Sequence, residues 1–128
     1  MQKLFLVAFG GAAGAVSRYL VSGWSYRLLG DRFAYGTLIV NVAGCFLLGV
    51  LMQLSLATDI LPRHARMVLG VGFMGAFTTF STFGYETFRY LEDGSWWLAA
   101  ANVIGNLVLG GMAVWLGVFI SQMIWGGG

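Results

Sequence analysis

The sequence predicts an all-α integral membrane protein of four transmembrane helices, and three observations carry that reading. Hydrophobic residues make up 59% of the chain and charged residues 9%, against roughly 25% charged in a soluble domain. Four apolar stretches are each long enough to cross a hydrocarbon core about 30 Å thick, which takes ~20 residues of helix. The 20 glycines would weaken soluble helices, but small residues suit membrane helices because they let backbones approach.

The first span covers about residues 4–24 and ends in the interfacial pair Trp24 and Tyr26. Lys3 ahead of an apolar run has the layout of a signal peptide. The run is too long for an h-region, however, and three more spans follow, so it reads as a retained helix. Gly10 and Gly14, with Ala12, Ala13 and Ala15, give it a small-residue face suited to close packing. The second span covers about 35–56, the third 66–91 and the fourth 96–125, the last with Trp96, Trp97 and Trp125 at its ends, where aromatic rings prefer to sit. Most of the charge falls between spans: Arg27, Asp31 and Arg32, then Asp59, Arg63 and Arg66, then Arg89, Glu92 and Asp93 before Gly94. No linker or low-complexity tract divides residues 1–128, which read as a single transmembrane domain of a multi-pass protein.

Several function classes are excluded. A net charge of +2, thinly scattered, does not suit nucleic acid. The lone Cys45 lies in a span and has no intrachain partner, which leaves the redox compartment open. His64 beside Arg63 reads as a solvated surface residue, and no triad, metal-ligand cluster or paired carboxylate supports an enzyme.

Orientation is balanced. With four spans both termini share a side with the second loop. That side carries Lys3, Arg63 and Arg66, and the other carries Arg27, Arg32 and Arg89. Insertion direction follows lysine and arginine bias, and three against three provides none. A chain inserted both ways pairs naturally as an antiparallel two-fold dimer.

The third span holds the unusual chemistry. Gly70, Gly72 and Gly75 match the dinucleotide pattern G-x-G-x-x-G, but that fingerprint requires a preceding strand and a soluble βαβ unit, so the nucleotide reading is set aside. The run Gly75-Ala76-Phe77-Thr78-Thr79-Phe80-Ser81-Thr82-Phe83 follows. A single hydroxyl in such a helix usually bonds back to its own backbone, which explains the cluster less well. Glycines and hydroxyls together permit unwinding, and unwound backbone at membrane depth persists only inside protein or against a watery cavity. A broken helix of this kind offers carbonyls to cations and N–H groups to anions. Phe80 and Phe83, three apart, share a face. Packing is the ordinary reading of such a pair, yet an aromatic edge is positive and could replace water around a small anion beside Ser81 and Thr82.

Few other polar groups lie in the spans. Asn41 sits in the second, while Asn102 and Asn106 lie four apart on the fourth. Each is either interhelical glue or part of a polar track. Arg18 either snorkels to the surface or supplies positive potential to a vestibule. Glu86 faces either the same conduit as Phe83 or a helix partner.

On these residues the chain resembles the small fluoride channel family, Fluc, also called CrcB. The likeness covers essentially the whole chain: the four spans, Gly10-Gly11, Arg18, the stretch from Gly36-Thr37-Leu38 to Asn41 and, most specifically, Gly75 to Phe83. It implies an antiparallel dual-topology homodimer in the cell (inner) membrane, passing fluoride through two pores and exporting it passively. The fluoride contacts would be Phe80 and Phe83, with Asn41, Ser81, Thr82 and Asn106 as polar contacts. Arg18, Thr79 and Glu86 would serve the vestibule. The resemblance also implies a structural Na+ at the dimer centre, held by the backbone carbonyls of Gly75 and Thr78, with Gly75 permitting the bend. Some members carry serine at position 110, where this chain has Gly110, so no hydroxyl contact is carried over there. One rival is a small multidrug exporter, but such proteins use a first-helix carboxylate and residues 4–24 contain none. The other is a structural assembly subunit whose hydroxyls serve only as glue.

Overall fold

The computed structural model describes residues 1–125 apart from the Ala57 side chain; of the expected domain over 1–128, Gly126, Gly127 and Gly128 lie outside the described residues. Among the described residues, four helical stretches are long and apolar enough to cross a membrane: Gln2–Leu29, Tyr35–Leu56, Arg63–Glu92 and Trp96–Ile124.

Helix α1 (Gln2–Leu29) has 28 residues, about 42 Å at 1.5 Å per residue. It outruns the expected 4–24 at both ends, because the polarity change at Trp24 marks where lipid ends and not where the helix ends. The stop is Gly30, which takes a left-handed φ of 86° that side chains disfavour. Helix α2 spans Tyr35–Ala57. Helix α3 covers residues 63–77 and starts directly after Pro62 (φ −63°, ψ 159°), earlier than the expected 66, since proline is tolerated at a helix start but not within. It is α-helical over Arg63–Arg66, π-helical over Met67–Met74 and α-helical again over Gly75–Phe77. Thr78 then takes an extended conformation (φ −86°, ψ 162°), and α4 runs from Ser81 to Glu92. After Gly94, with φ 77°, α5 (Trp96–Ile124) completes the chain, with a π-helical stretch at Gly105–Leu109.

Helix α1 lies along α3, and α2 lies along the Gly110–Ile124 half of α5. Both seams are closed by glycine. A methyl group at Gly10 or Gly14 would run into the carbonyls of Val68 and Phe73, and one at Gly72 into Val7 O and the Gly10 backbone. In the second seam Gly117 faces Phe46 O and Gly49 faces Val114 O. Missing side chains let the helices touch backbone to backbone, the usual way membrane helices gain packing energy without a hydrophobic drive between them. The G-x-G-x-x-G spacing is therefore helical, and Gly72, its middle glycine, belongs to a seam.

One buried apolar cluster is formed by Val40, Met74 and Phe77, with Val21, Ala43 and Phe73 packed around them, and Leu98, Ala99 and Ala113 are buried elsewhere. Large apolar side chains such as Phe5, Leu56, Val71 and Trp115 stand outward, as an apolar solvent permits.

Candidate functional site at residues 78–83

Where α3 ends, Met74 O keeps its helical partner Thr78, and the carbonyls after it lose theirs. Met74 O accepts from both the N–H and the hydroxyl of Thr78, at 3.2 and 3.0 Å. Ala76 O accepts from Arg18 Nε at 3.1 Å. Arg18 thus caps α3, where a cation complements the negative end of the helix dipole. The chain leaves helical geometry at Thr78. Gly75, expected to permit the bend, is itself helical (φ −61°, ψ −37°), and a methyl there would meet nothing within 4 Å. Threonine serves at the bend because a β-branched residue accepts extended backbone readily, and its hydroxyl joins its N–H on Met74 O.

The next peptide is held by a side chain from α2. Asn41 Oδ1 accepts the Thr79 N–H at 2.9 Å, and Asn41 Nδ2 donates to Thr79 O at 3.1 Å. An amide side chain here takes the place of a neighbouring peptide and satisfies both groups of a residue that has left the helix. Asn41 Nδ2 also donates to Asn106 Oδ1 at 2.9 Å, so both its hydrogens are engaged within the protein. Asn106 Nδ2 donates to Asn102 O at 2.8 Å and Asn102 Oδ1 at 3.1 Å. Asn102, 0% exposed, donates to Thr87 Oγ1 at 3.0 Å, and that hydroxyl donates to Phe83 O at 2.9 Å. Thr79 Oγ1 accepts the Thr82 N–H at 3.3 Å, which caps the start of α4.

The phenylalanines stand beside this network. The rings of Phe80 and Phe83 lie 5.7 Å apart at 54°, and Phe80 is 81% exposed. Asn41, Thr79, Phe80, Phe83 and Asn106 share the wall of a cleft of about 410 Å3, together with Gly75 and Thr78. Phe77 points the other way, into the core at 6% exposure, stacked on Phe73 at 5.6 Å.

Thr82 and Glu86 lie elsewhere, in a second cleft of about 390 Å3 on the other side of α4, which also holds Thr37, Tyr85 and Arg89. Thr37 Oγ1 donates to Glu86 Oε2 at 2.9 Å, and Glu86 Oε1 is buried with no hydrogen-bond partner among the described residues. Ser81 is exposed and lines neither cleft. The expected contacts therefore divide: Phe80, Phe83, Asn41 and Asn106 come together with Thr79, while Thr82 pairs spatially with Glu86. Thr37 as the Glu86 partner, and Thr87 as a link in the network, were not singled out from the sequence. The four-residue spacing Phe83–Thr87 was the available signal for Thr87, whereas Thr37 lies 49 residues from Glu86 and gave none.

Four long apolar helices around an amide-held turn define a polytopic membrane protein with a hydrogen-bonded polar turn among its helices. A family model described as CrcB-like protein, Camphor Resistance (CrcB), matches residues 5–118, and the chain belongs to that family. It is 46% identical over 122 residues to the fluoride-specific ion channel FluC of Geobacter metallireducens, covering 95% of this chain and 98% of that protein. It is 49% identical over 123 residues to the protein of the same name from Syntrophotalea carbinolica, covering 96% and 100%. The Dehalococcoides mccartyi protein of that name is 45% identical over 124 residues, covering 97% and 95%. These relatives are named as channels, not as enzymes.

Proposed function

We propose that this protein is a fluoride-selective channel that lets accumulated fluoride leave the cell passively. One observation carries the reading beyond the names of its relatives: the close Phe80–Phe83 pair stands in one cleft with the fixed Thr79 peptide and two oriented amides. Moving a carboxylate-sized ion into a low-dielectric interior costs on the order of 20 kcal/mol by Born estimates, and fluoride is smaller. Positive ring edges and the surrounding polar groups must offset nearly all of that while leaving the ion free to depart. The N-terminus of α4, at Ser81, adds the positive end of a helix dipole. Thr82, Glu86 and Thr37 line a second polar cleft across α4 from the rings, and Asn41 and Asn106 form the wall beside the rings.

The protein works as an antiparallel dual-topology homodimer in the inner membrane. The balanced lysine and arginine count supports this, as does the exposure of Phe80 and Gly75, which line one open cleft. A structural Na+ at the two-fold axis fits the residues present. Gly75 and Thr78 line the open cleft at the carbonyl end of α3, where the dipole is negative. A hard cation takes oxygen ligands in larger number than two carbonyls supply, and a second copy provides the remainder. When bound, the ion would tie the two turns together.

Liposomes loaded with potassium fluoride or potassium chloride, treated with a potassium ionophore and read with an ion electrode, test the function. Rapid fluoride efflux with chloride retained is expected; equal efflux of both halides overturns the proposal. Tags at the termini of the wild-type protein should be found on both sides of the membrane in similar amounts, and tags on one side alone would reject dual topology.

A further inference from the structure

We propose that Thr87, Asn102 and Asn106 form an orienting relay that fixes the Asn41 amide on the Thr79 peptide, so that these three are positioning residues for the turn carrying Phe80. The inference stands on hydrogen-bond polarity. An asparagine amide can sit in either of two flips, and only its partners decide which. Here each flip agrees with the one before, and the backbone groups at both ends, Phe83 O and the Thr79 peptide, permit no other set. The starting point is Phe83 O, a backbone carbonyl that can only accept. Thr87 must give its hydroxyl hydrogen to that carbonyl, 2.9 Å away, which leaves Thr87 Oγ1 an acceptor toward Asn102. Asn102 must therefore turn its Nδ2 to Thr87, at 3.0 Å, and its Oδ1 to Asn106. Asn106 meets two acceptors, Asn102 O and Oδ1, and must present Nδ2 to both. Its own Oδ1 then faces Asn41, which has to answer with Nδ2. That leaves Asn41 Oδ1 for the Thr79 N–H and a hydrogen of Nδ2 for Thr79 O. Reversing any one amide would set donor against donor or acceptor against acceptor along the chain.

The relay starts at Phe83 and ends at Thr79, so it ties together the two ends of the segment that holds the ring pair. Its middle is Asn102, buried completely at 0% exposure, on α5 and outside both clefts. A residue so placed acts through its neighbours. Buried polar networks of this kind are worth having only when every member is satisfied, and this one is closed at both ends by backbone.

The reading of Thr79 needs no assumption about the ion; only the flux consequence rests on the channel reading. The test is residue-resolved amide hydrogen exchange at Thr79 in full-length protein reconstituted in lipid nanodiscs, with an α1 amide such as Ala15 as control. Thr79 should be protected in the parent. Asn41→Leu should speed its exchange by about tenfold or more, the loss of a buried hydrogen bond. Asn106→Leu should speed it several-fold, and Thr87→Val, which keeps shape and removes the hydroxyl, by less. Asn106→Leu added to Asn41→Leu should change nothing further at Thr79, because the two act in series. If Asn106→Leu proves poorly folded, Asn106→Ser replaces it: its short hydroxyl bonds back to Asn102 O and cannot reach Asn41, so the same loss is expected. Unchanged Thr79 protection in Asn41→Leu overturns the clamp. Unchanged protection in Asn106→Leu and Thr87→Val, or equal acceleration of Thr79 and Ala15, overturns the relay. Fluoride efflux is read on the same variants. Faster Thr79 exchange with parental efflux would leave the relay standing and count against a pore at this turn, whereas a parent that passes no fluoride at all would defeat the channel reading alone.

Discussion

The two glycine seams and the turn at residues 78–83 solve one problem in opposite ways. Both bring backbone against other groups where there is no water to satisfy peptides. Along α1–α3 and α2–α5 the helices keep their own hydrogen bonds, and what is removed is the side chain: Gly10, Gly14, Gly49, Gly72 and Gly117 let carbonyls and α-carbons touch. At the turn the chain gives up helical bonds, and what is added is a side chain: Asn41 supplies the peptide partner that Thr79 lost. A seam of the first kind is sensitive to a single methyl. A turn of the second kind is sensitive to the loss of one donor or acceptor, and it leaves a polar, shaped cleft that a seam cannot offer.

The sharpest way to break this contrast is to add atoms to the seams. Gly14→Ala combined with Gly117→Ala places a methyl against a carbonyl in each seam. Overpacking typically costs about 1–3 kcal/mol per site, and neither backbone can move away without separating helices. The double variant should give little monodisperse protein on size exclusion in detergent. A yield and melting temperature equal to the parent's would show that the seams are looser than described.

Next in size is Asn41→Leu, of similar volume and without hydrogen bonds. It leaves both Thr79 groups and Asn106 Oδ1 unpaired, at about 1–3 kcal/mol for each buried group. Helix content should persist by circular dichroism while melting temperature and fluoride efflux both fall. Retention of parental stability and flux would mean that the turn holds itself.

The aromatic rings sharpen the comparison by separating cleft from core. Phe80→Met and Phe83→Ile should lower fluoride efflux while the protein keeps its assembly state, since near-volume apolar swaps usually cost under ~1.5 kcal/mol. Phe77→Met is the control away from the cleft: Phe77 is in the core with Val40 and Met74, and its change should show mainly in melting temperature. Parental efflux from folded Phe80→Met and Phe83→Ile proteins would make both rings packing residues.

The smallest effects belong to glycines outside both regions. Gly23→Ala meets nothing within 4 Å and should be neutral or slightly stabilising, as alanine exceeds glycine in helix propensity by ~1 kcal/mol. Gly94→Ala, also in open space but with φ 77°, should cost ~1–2 kcal/mol from backbone strain alone. Thermal melts that rank the two the other way would contradict the assigned turn.

Fold and site were unequally legible. The four spans follow from apolar runs, because the bilayer imposes a length on any helix that crosses it. Helix ends were less legible, since α1 continues past Trp24 to Gly30 and backbone hydrogen bonding ignores the change in side-chain polarity. Composition marked residues 75–83 as special, but not which residue leaves the helix; glycine was the natural choice, and Thr78 does it.

By itself the sequence determined an all-α membrane protein, the family to which it belongs, and the polar residues available inside it. Those are matters of composition and local pattern, which a chain carries before it folds. Only the tertiary structure decided that Asn41 holds a peptide, that Arg18 caps α3, that Thr82 and Glu86 lie across α4 from the rings, and that Phe77 belongs to the core. Each of these depends on a partner many residues away, 38 for Asn41 and Thr79 and 58 for Arg18 and Ala76. A polar side chain has no fixed role until folding chooses which donor or acceptor it meets.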